Sequence, residues 1–161
     1  VTSKDGNDEV AAEAKKVEGN TAITSKNYND AVKFYTEAIE LAPTGKNTNI
    51  YYTNRAAAYC YLKNYEKSIK DCTKAIELDP LYTKAYSRLG LSHFFMEEYE
   101  PAVEAYQKAV DLEPETKSLQ NSLKQAKQKL DERTNLTAPS SSSSGAPSSA
   151  GGMPDMSALA G

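Results

Sequence analysis

"YEPAVEAYQKAVDLEP", residues 99–114, decides the fold once it is laid over two other stretches of the same chain. Tyr99, Ala102, Tyr106, Ala109, Val110, Asp111, Leu112 and Pro114 fall in register with Tyr65, Ser68, Cys72, Ala75, Ile76, Glu77, Leu78 and Pro80. They do so again with Tyr28, Ala31, Tyr35, Ala38, Ile39, Glu40, Leu41 and Pro43. Apolar and small residues recur at steps of three and four, the spacing of one face of an α-helix. Each proline stops its helix, because it cannot continue the hydrogen-bond ladder. The prolines lie 37 and then 34 residues apart, so a 34-residue unit repeats with three extra residues in one linker. Those extra residues are expected in TGKNTN, residues 44–49, a stretch rich in loop formers.

A second helix precedes the aligned one in every unit. KVEGNTA (16–22), TNRAAAY (53–59) and SRLGLSH (87–93) put Gly19, Ala56 and Gly90 at one equivalent position. Small residues there let the two helices of a unit approach closely. Short turns at Lys26-Asn27 and Lys63-Asn64 make the pair antiparallel. Beyond Pro114, Leu119, Leu123, Ala126 and Leu130 keep helical spacing and predict a helix that covers the apolar face of the last unit. From residue 134 the composition shifts to Ser, Ala, Gly and Pro, so residues 134–161 are expected to form a disordered linker. Residues 1–8 are expected to be a flexible lead-in to a folded domain over 9–133, with repeats at about 12–45, 49–82 and 83–116 and a capping helix at 117–133.

Composition narrows the function classes. The chain has 161 residues, 39% of them hydrophobic and 25% charged, enough for one globular domain with a real core. No apolar run approaches the roughly 20 residues that cross a bilayer, so no direct membrane insertion is expected. A net charge of −3 argues against nucleic acid as the main partner. Cys60, Cys72 and the single His93 cannot assemble a four-ligand zinc site, and neither metal nor cofactor is expected. So few cysteines fit a reducing, cytoplasmic setting. The chain opens on Val1, which suggests a fragment of a longer protein.

A 34-residue helix-turn-helix unit with Gly/Ala, Tyr, Ala, Tyr, Ala and Pro at these offsets resembles the tetratricopeptide repeat. The resemblance implies an all-α, right-handed solenoid of three repeats plus a C-terminal capping helix. In unit one Lys15 stands where Tyr52 and Tyr86 place an aromatic, and Cys72 replaces a tyrosine. These departures alter packing detail and leave the register intact.

In such a stack the first helix of each unit lines the inner surface. Counted from Gly19, Ala56 and Gly90, the inner positions hold Lys16 and Asn20, then Asn54, then Lys84 and Arg88. Lys16 with Asn20, and Lys84 with Arg88, are four apart and share a helix face. Three cations and two amides are therefore expected to converge, exposed, on one groove, and such a cluster repels itself unless an anion arrives. Lysine, arginine and the Asn amide all donate to carboxylate oxygens. The pattern is similar to the dicarboxylate clamp of chaperone-binding tetratricopeptide domains. That likeness implies binding of the C-terminal Glu-Glu-Val-Asp of seventy- and ninety-kilodalton heat-shock chaperones through these five residues. The tyrosines recur mostly at packing positions, and Tyr61 is also expected to face the groove and touch an apolar side chain of the peptide.

NRAAAY (54–59), YSRLGL (86–91), the capping helix and GGMPDM (151–156) further resemble the small glutamine-rich tetratricopeptide co-chaperones. Membership would imply a role in targeting tail-anchored membrane proteins, a monomeric fragment, and a full-length homodimer joined by an N-terminal domain not present here. Met153 and Met156 would then mark the edge of a client-binding region. The alternative is a scaffold whose groove takes an internal helical segment of a partner. No catalytic residue is expected: Cys72 reads as a buried core thiol, Cys60 as a more accessible one, and His93 as a core or inter-helix residue.

Overall fold

The computed structural model describes residues 6–137. Among them the chain forms seven helices and no strand: α1 Glu9–Thr24, α2 Tyr28–Leu41, α3 Thr48–Tyr61, α4 Tyr65–Leu78, α5 Thr83–Phe95, α6 Tyr99–Leu112 and α7 Lys117–Thr137. Each helix packs on the next, and α3 also touches α5 directly, so first helices of neighbouring units lie side by side.

Second helices bury the residues that define the repeat. Ala31, Tyr35 and Ala38 on α2, Ser68, Cys72 and Ala75 on α4, and Ala102, Tyr106 and Ala109 on α6 are all buried at the same i, i+4, i+7 positions. Three helices with one inward face therefore stack in one register. Each ends two residues before its proline, and the intervening Ala42, Asp79 and Glu113 have φ of −138°, −145° and −133°. That extended backbone is what a following proline ring imposes.

The turns inside the units repeat as closely. Lys26, Lys63 and Glu97 all adopt left-handed φ near 60°. The amide after each reaches back to a carbonyl five residues earlier, Asn27 to Ala22, Asn64 to Tyr59 and Glu98 to His93, at 2.8, 2.8 and 2.9 Å. This is the Schellman termination, which usually takes glycine at the left-handed position.

A size rule governs where paired helices cross. A Cβ on Gly19 would meet the Tyr35 ring and one on Gly90 the Tyr106 ring, at 2.5 and 2.9 Å. In unit two the equivalent pair is Ala56 and Cys72, both fully buried. A ring is matched by glycine, and a thiol by alanine.

On α7, Leu123 and Ala126 join the cluster formed by Leu91, Phe94, Ala102 and Tyr106, with Leu119 buried one turn earlier. The capping helix thus covers the last unit.

Three boundaries differ from expectation. Asn7, expected in a flexible lead-in, is 1% exposed; its Oδ1 accepts from the Thr44 amide at 3.0 Å and its Nδ2 donates to Thr44 Oγ1 at 3.1 Å. Asp8 caps α1 by accepting from the Ala11 amide, and its own amide donates to the Leu41 carbonyl. The first helix and the long linker thus complete each other's hydrogen bonds. Thr48 and Asn49, expected in the loop, form the buried first turn of α3, where Thr48 Oγ1 donates to the Ala42 carbonyl at 2.6 Å. Residues 134–137, expected in the linker, continue α7, with Thr134 and Thr137 hydroxyls bonded to carbonyls one turn back. Composition shifts at 134, but the first strict helix breaker is Pro139. Residues 138–161, with Met153 and Met156, lie outside the described residues.

Candidate functional site

The five candidate residues sit on the three first helices, Lys16 and Asn20 on α1, Asn54 on α3, and Lys84 and Arg88 on α5. Units one and two are joined directly here. Asn54 Nδ2 donates to Asn20 Oδ1 at 3.4 Å, and the Tyr35 hydroxyl donates to the same oxygen at 2.5 Å. With its oxygen doubly engaged, the remaining hydrogen-bonding capacity of the Asn20 amide is its NH2, a donor. Unit three enters through Arg88, whose positive charge opposes the burial that pushes the Tyr35 phenol up to about 12.

Depth departs from the expectation of an exposed set. Arg88 is 2% exposed and Asn54 7%, Asn20 and Lys16 are half-buried, and among the five only Lys84 is exposed. Arg88 is surrounded by Tyr35 of α2, Cys60 of α3, Cys72 of α4 and Tyr82, so it lies inside the stack. Burial pulls the Arg88 pKa down from its usual value, while Tyr82, Cys72, Cys60 and Tyr35 act in the opposite direction. An arginine starts so far above neutrality that it keeps its charge.

Self-repulsion is also smaller than expected, because a carboxylate is built in. Lys16 pairs with Glu13 one turn back on α1. The second oxygen of Glu13 accepts from the buried Tyr51 hydroxyl of α3 at 3.3 Å. The Lys16 partnership leads in holding the Glu13 carboxyl below its ordinary range, against a smaller opposing effect of burial.

Tyr61 is engaged in a joint between units. It stacks on Tyr28 at the start of α2, with ring centroids 4.5 Å apart and planes 5° off parallel. One ring face is thereby covered.

The remaining reactive groups serve packing. Cys60, expected to be the accessible thiol, is 1% exposed and lies 3.2 and 3.3 Å from the Ser68 and Ser92 hydroxyls. Burial pushes both cysteine thiols up, so neither is activated as a nucleophile. His93 is not a core residue; its Nδ1 faces Glu98 Oε2 at 2.6 Å at the edge of the third turn. Arg55 forks onto both oxygens of Asp71 at 2.7 Å and donates to Thr36 Oγ1 at 3.1 Å, tying α3 to α4 and α2. Among the described residues no group of three His, Cys, Asp or Glu side chains is arranged to hold a metal ion. No described helix is long and apolar enough to cross a membrane.

Sequence reasoning overlooked Tyr35, Glu13 and Tyr51. Glu13 and Lys16 at i, i+3 carried a readable signal. Tyr35 carried none beyond its repeat position, which pointed only to packing.

Tetratricopeptide repeat models match residues 17–44, 50–82 and 83–115, so the chain belongs to the tetratricopeptide repeat family. Within it the chain is similar to small glutamine-rich tetratricopeptide repeat-containing protein 2 of Saccharomyces cerevisiae, 40% identical over 172 aligned positions that cover 100% of this chain and 48% of the relative. The chain thus spans about half the length of the curated relatives it matches. Among solved structures, the Sgt2 tetratricopeptide domain of Aspergillus fumigatus superposes with a TM-score of 0.74 at 35% identity, covering 86% of this chain and 91% of that one. The first such domain of Spaghetti (RPAP3), bound to the HSP90 peptide SRMEEVD, also gives 0.74, at 32% identity and with 78% and 98% covered.

Proposed function

We propose that the face formed by α1, α3 and α5 grips the free C-terminal carboxylate and the neighbouring acidic side chain of an extended peptide. The ligand would be the Glu-Glu-Val-Asp end of heat-shock chaperones of the seventy- and ninety-kilodalton classes. On this reading the chain is a co-chaperone adaptor that catalyses no reaction. The observation that carries it is the doubly engaged oxygen of Asn20, which leaves that side chain its NH2 as a donor beside Asn54. A terminal carboxylate and an Asp side chain offer acceptors only, and charged acceptors make the stronger hydrogen bonds. The HSP90 peptide bound by the Spaghetti domain, which ends in Glu-Val-Asp, supports the same ligand class. Lys84 would contribute at the exposed rim, and Tyr61 would be a further peptide contact. The proposal extends to a cytoplasmic setting, a monomeric 161-residue chain, and a longer dimeric protein that passes on tail-anchored membrane proteins.

The test is fluorescence anisotropy with a labelled peptide ending in Met-Glu-Glu-Val-Asp, with a free and then an amidated terminus. Charge-assisted hydrogen bonds contribute roughly 1.5 to 3 kcal/mol each, so amidation should weaken binding about tenfold or more. Equal affinity for the two peptides would overturn the clamp and favour a groove that takes an internal segment.

A further inference from the structure

The three units share a packing rule, and unit one adds to it a bond to an asparagine amide. Tyr35 and Tyr106 occupy equivalent positions, each ring pressed against a glycine, Gly19 and Gly90. The residue after that glycine is Asn20 in unit one, Ala57 in unit two and Leu91 in unit three. Packing therefore needs the ring in units one and three, yet it needs no amide beside it. The 2.5 Å bond from the Tyr35 hydroxyl to Asn20 Oδ1 is specific to unit one.

We infer that Tyr35 is a positioning residue of the peptide site: its hydroxyl fixes the Asn20 amide with oxygen inward and NH2 toward the ligand. The inference rests on the carboxylate-clamp reading of these residues. An asparagine amide can rotate by half a turn and present an acceptor where a donor is needed, which would set its oxygen against a peptide carboxylate. Asn54 donates to the same oxygen at 3.4 Å, a long bond that would hold the amide only loosely by itself. Tyr35 supplies the short one. Its ring is 1% exposed and gripped by Gly19, so the hydroxyl has one place to point. A phenol is protonated at neutral pH and so can donate, and burial moves its pKa further from neutrality. The glycine that weakens α1 locally is thus linked to the site through the ring it admits.

Tyr35→Phe tests this, because it keeps the ring and removes only the hydroxyl. Tyr106→Phe is the control, with an equally buried ring in unit three and no Asn partner. Loss of one orienting hydrogen bond should weaken the free-terminus peptide about fivefold in Tyr35→Phe. The amidated peptide should lose no more affinity than in Tyr106→Phe, while the melting temperature should fall only by the modest amount that one lost hydrogen bond costs. The Asn20 side-chain amide signals should shift in Tyr35→Phe and stay in place in Tyr106→Phe. Unchanged affinity for the free terminus in Tyr35→Phe would overturn the inference while leaving the clamp standing. An equal loss for both peptides, accompanied by a lowered melting temperature, would make Tyr35 a packing residue and overturn it as well. A parent protein indifferent to amidation would remove the clamp and the inference together.

Discussion

Gly19 and Tyr35 meet with no room for a methyl group between them: a Cβ on Gly19 would lie 2.5, 2.7 and 2.8 Å from three atoms of the ring. The ring cannot retreat, because it sits in a cluster with Ala22, Ile23, Ala31 and Ala58. Gly19→Ala should therefore destabilise the domain despite its better helix propensity. Overpacking costs about 1 to 3 kcal/mol and the propensity gain recovers up to about 1, so a net loss of about 1 to 2 kcal/mol is expected in urea unfolding. Ala56 already carries the methyl at the equivalent place, opposite the smaller Cys72. Restoring glycine there should yield no gain of comparable size. A Gly19→Ala protein as stable as its parent would show that the ring has slack.

Glu13 occupies Lys16 before any peptide does. Glu13→Gln should leave the lysine charge uncompensated and raise affinity for an acidic C-terminal peptide about two- to threefold, in line with a half-exposed pair of roughly 0.5 kcal/mol. The same substitution has a pH signature. The folded-state pKa of Glu13 lies below its unfolded value of about 4.5, so the pair's stabilisation is complete above that value and disappears as pH falls through the folded one. Parent and variant should thus differ in stability near neutrality and converge in acid. Melting curves from pH 7 down to pH 3 check this, and a gap that widens in acid would reverse the assignment.

Periodicity made the architecture legible, since alanines and tyrosines at three- and four-residue steps fixed the order of the helices and the face each buries. The same count put Lys16, Asn20, Asn54, Lys84 and Arg88 on the first helices. What it could not supply was depth. An inner-face position suggests exposure, yet Arg88 and Asn54 are buried, Arg88 near Cys60, Cys72, Tyr35 and Tyr82 of other segments. Direction within a side chain was equally hidden: Tyr35 was recognisable as a packing ring, but its hydroxyl meets Asn20 only after α1 and α2 are folded together. The lead-in failed for a related reason. Asn7 is 37 residues from its partner Thr44, a separation that no local pattern reports.

Arg55 adjoins Asn54 in sequence but faces Asp71, and the two form a frame for the second unit. Burial pushes the Asp71 carboxyl up, and the Arg55 fork works against it. Removing only the cation leaves a carboxylate 5% exposed. Arg55→Leu should cost about 3 kcal/mol or more, while Arg55→Leu with Asp71→Leu should cost less than the single change. The comparison needs only urea midpoints of three proteins. A double variant less stable than Arg55→Leu would mean that the pair does more than neutralise itself.

Lys63 holds φ at 60° in the turn between α3 and α4 with an exposed side chain. A non-glycine residue in that conformation carries a strain of about 1 to 2 kcal/mol, part of which glycine returns as extra freedom of the unfolded chain. Lys63→Gly should therefore raise stability by about 0.5 to 1 kcal/mol, since the amide bonds of residues 63 and 64 to Cys60 and Tyr59 do not involve the side chain. Lys63→Ala should do nothing of the kind. Equal melting temperatures for the two variants would contradict the strain.

Lys84 and Asn54 separate two kinds of donor within the proposed site. Lys84 is exposed on α5, so its attraction to a peptide carboxylate acts through solvent and is screened over about 10 Å at 0.1 M salt and about 3 Å at 1 M. Asn54 is buried and neutral, and its contribution is a hydrogen bond together with its hold on Asn20. Lys84→Ala should weaken the free-terminus peptide several-fold at low salt and progressively less as salt rises. Asn54→Ala should weaken it by about fivefold or more at every salt concentration, the loss of one desolvated hydrogen bond. Binding titrations at 50, 150 and 500 mM salt distinguish the two as slopes. Parallel slopes for parent and Lys84→Ala would remove that lysine from the peptide's field, and a salt-dependent effect of Asn54→Ala would mean that this amide acts through a displaced charge instead of its own bond.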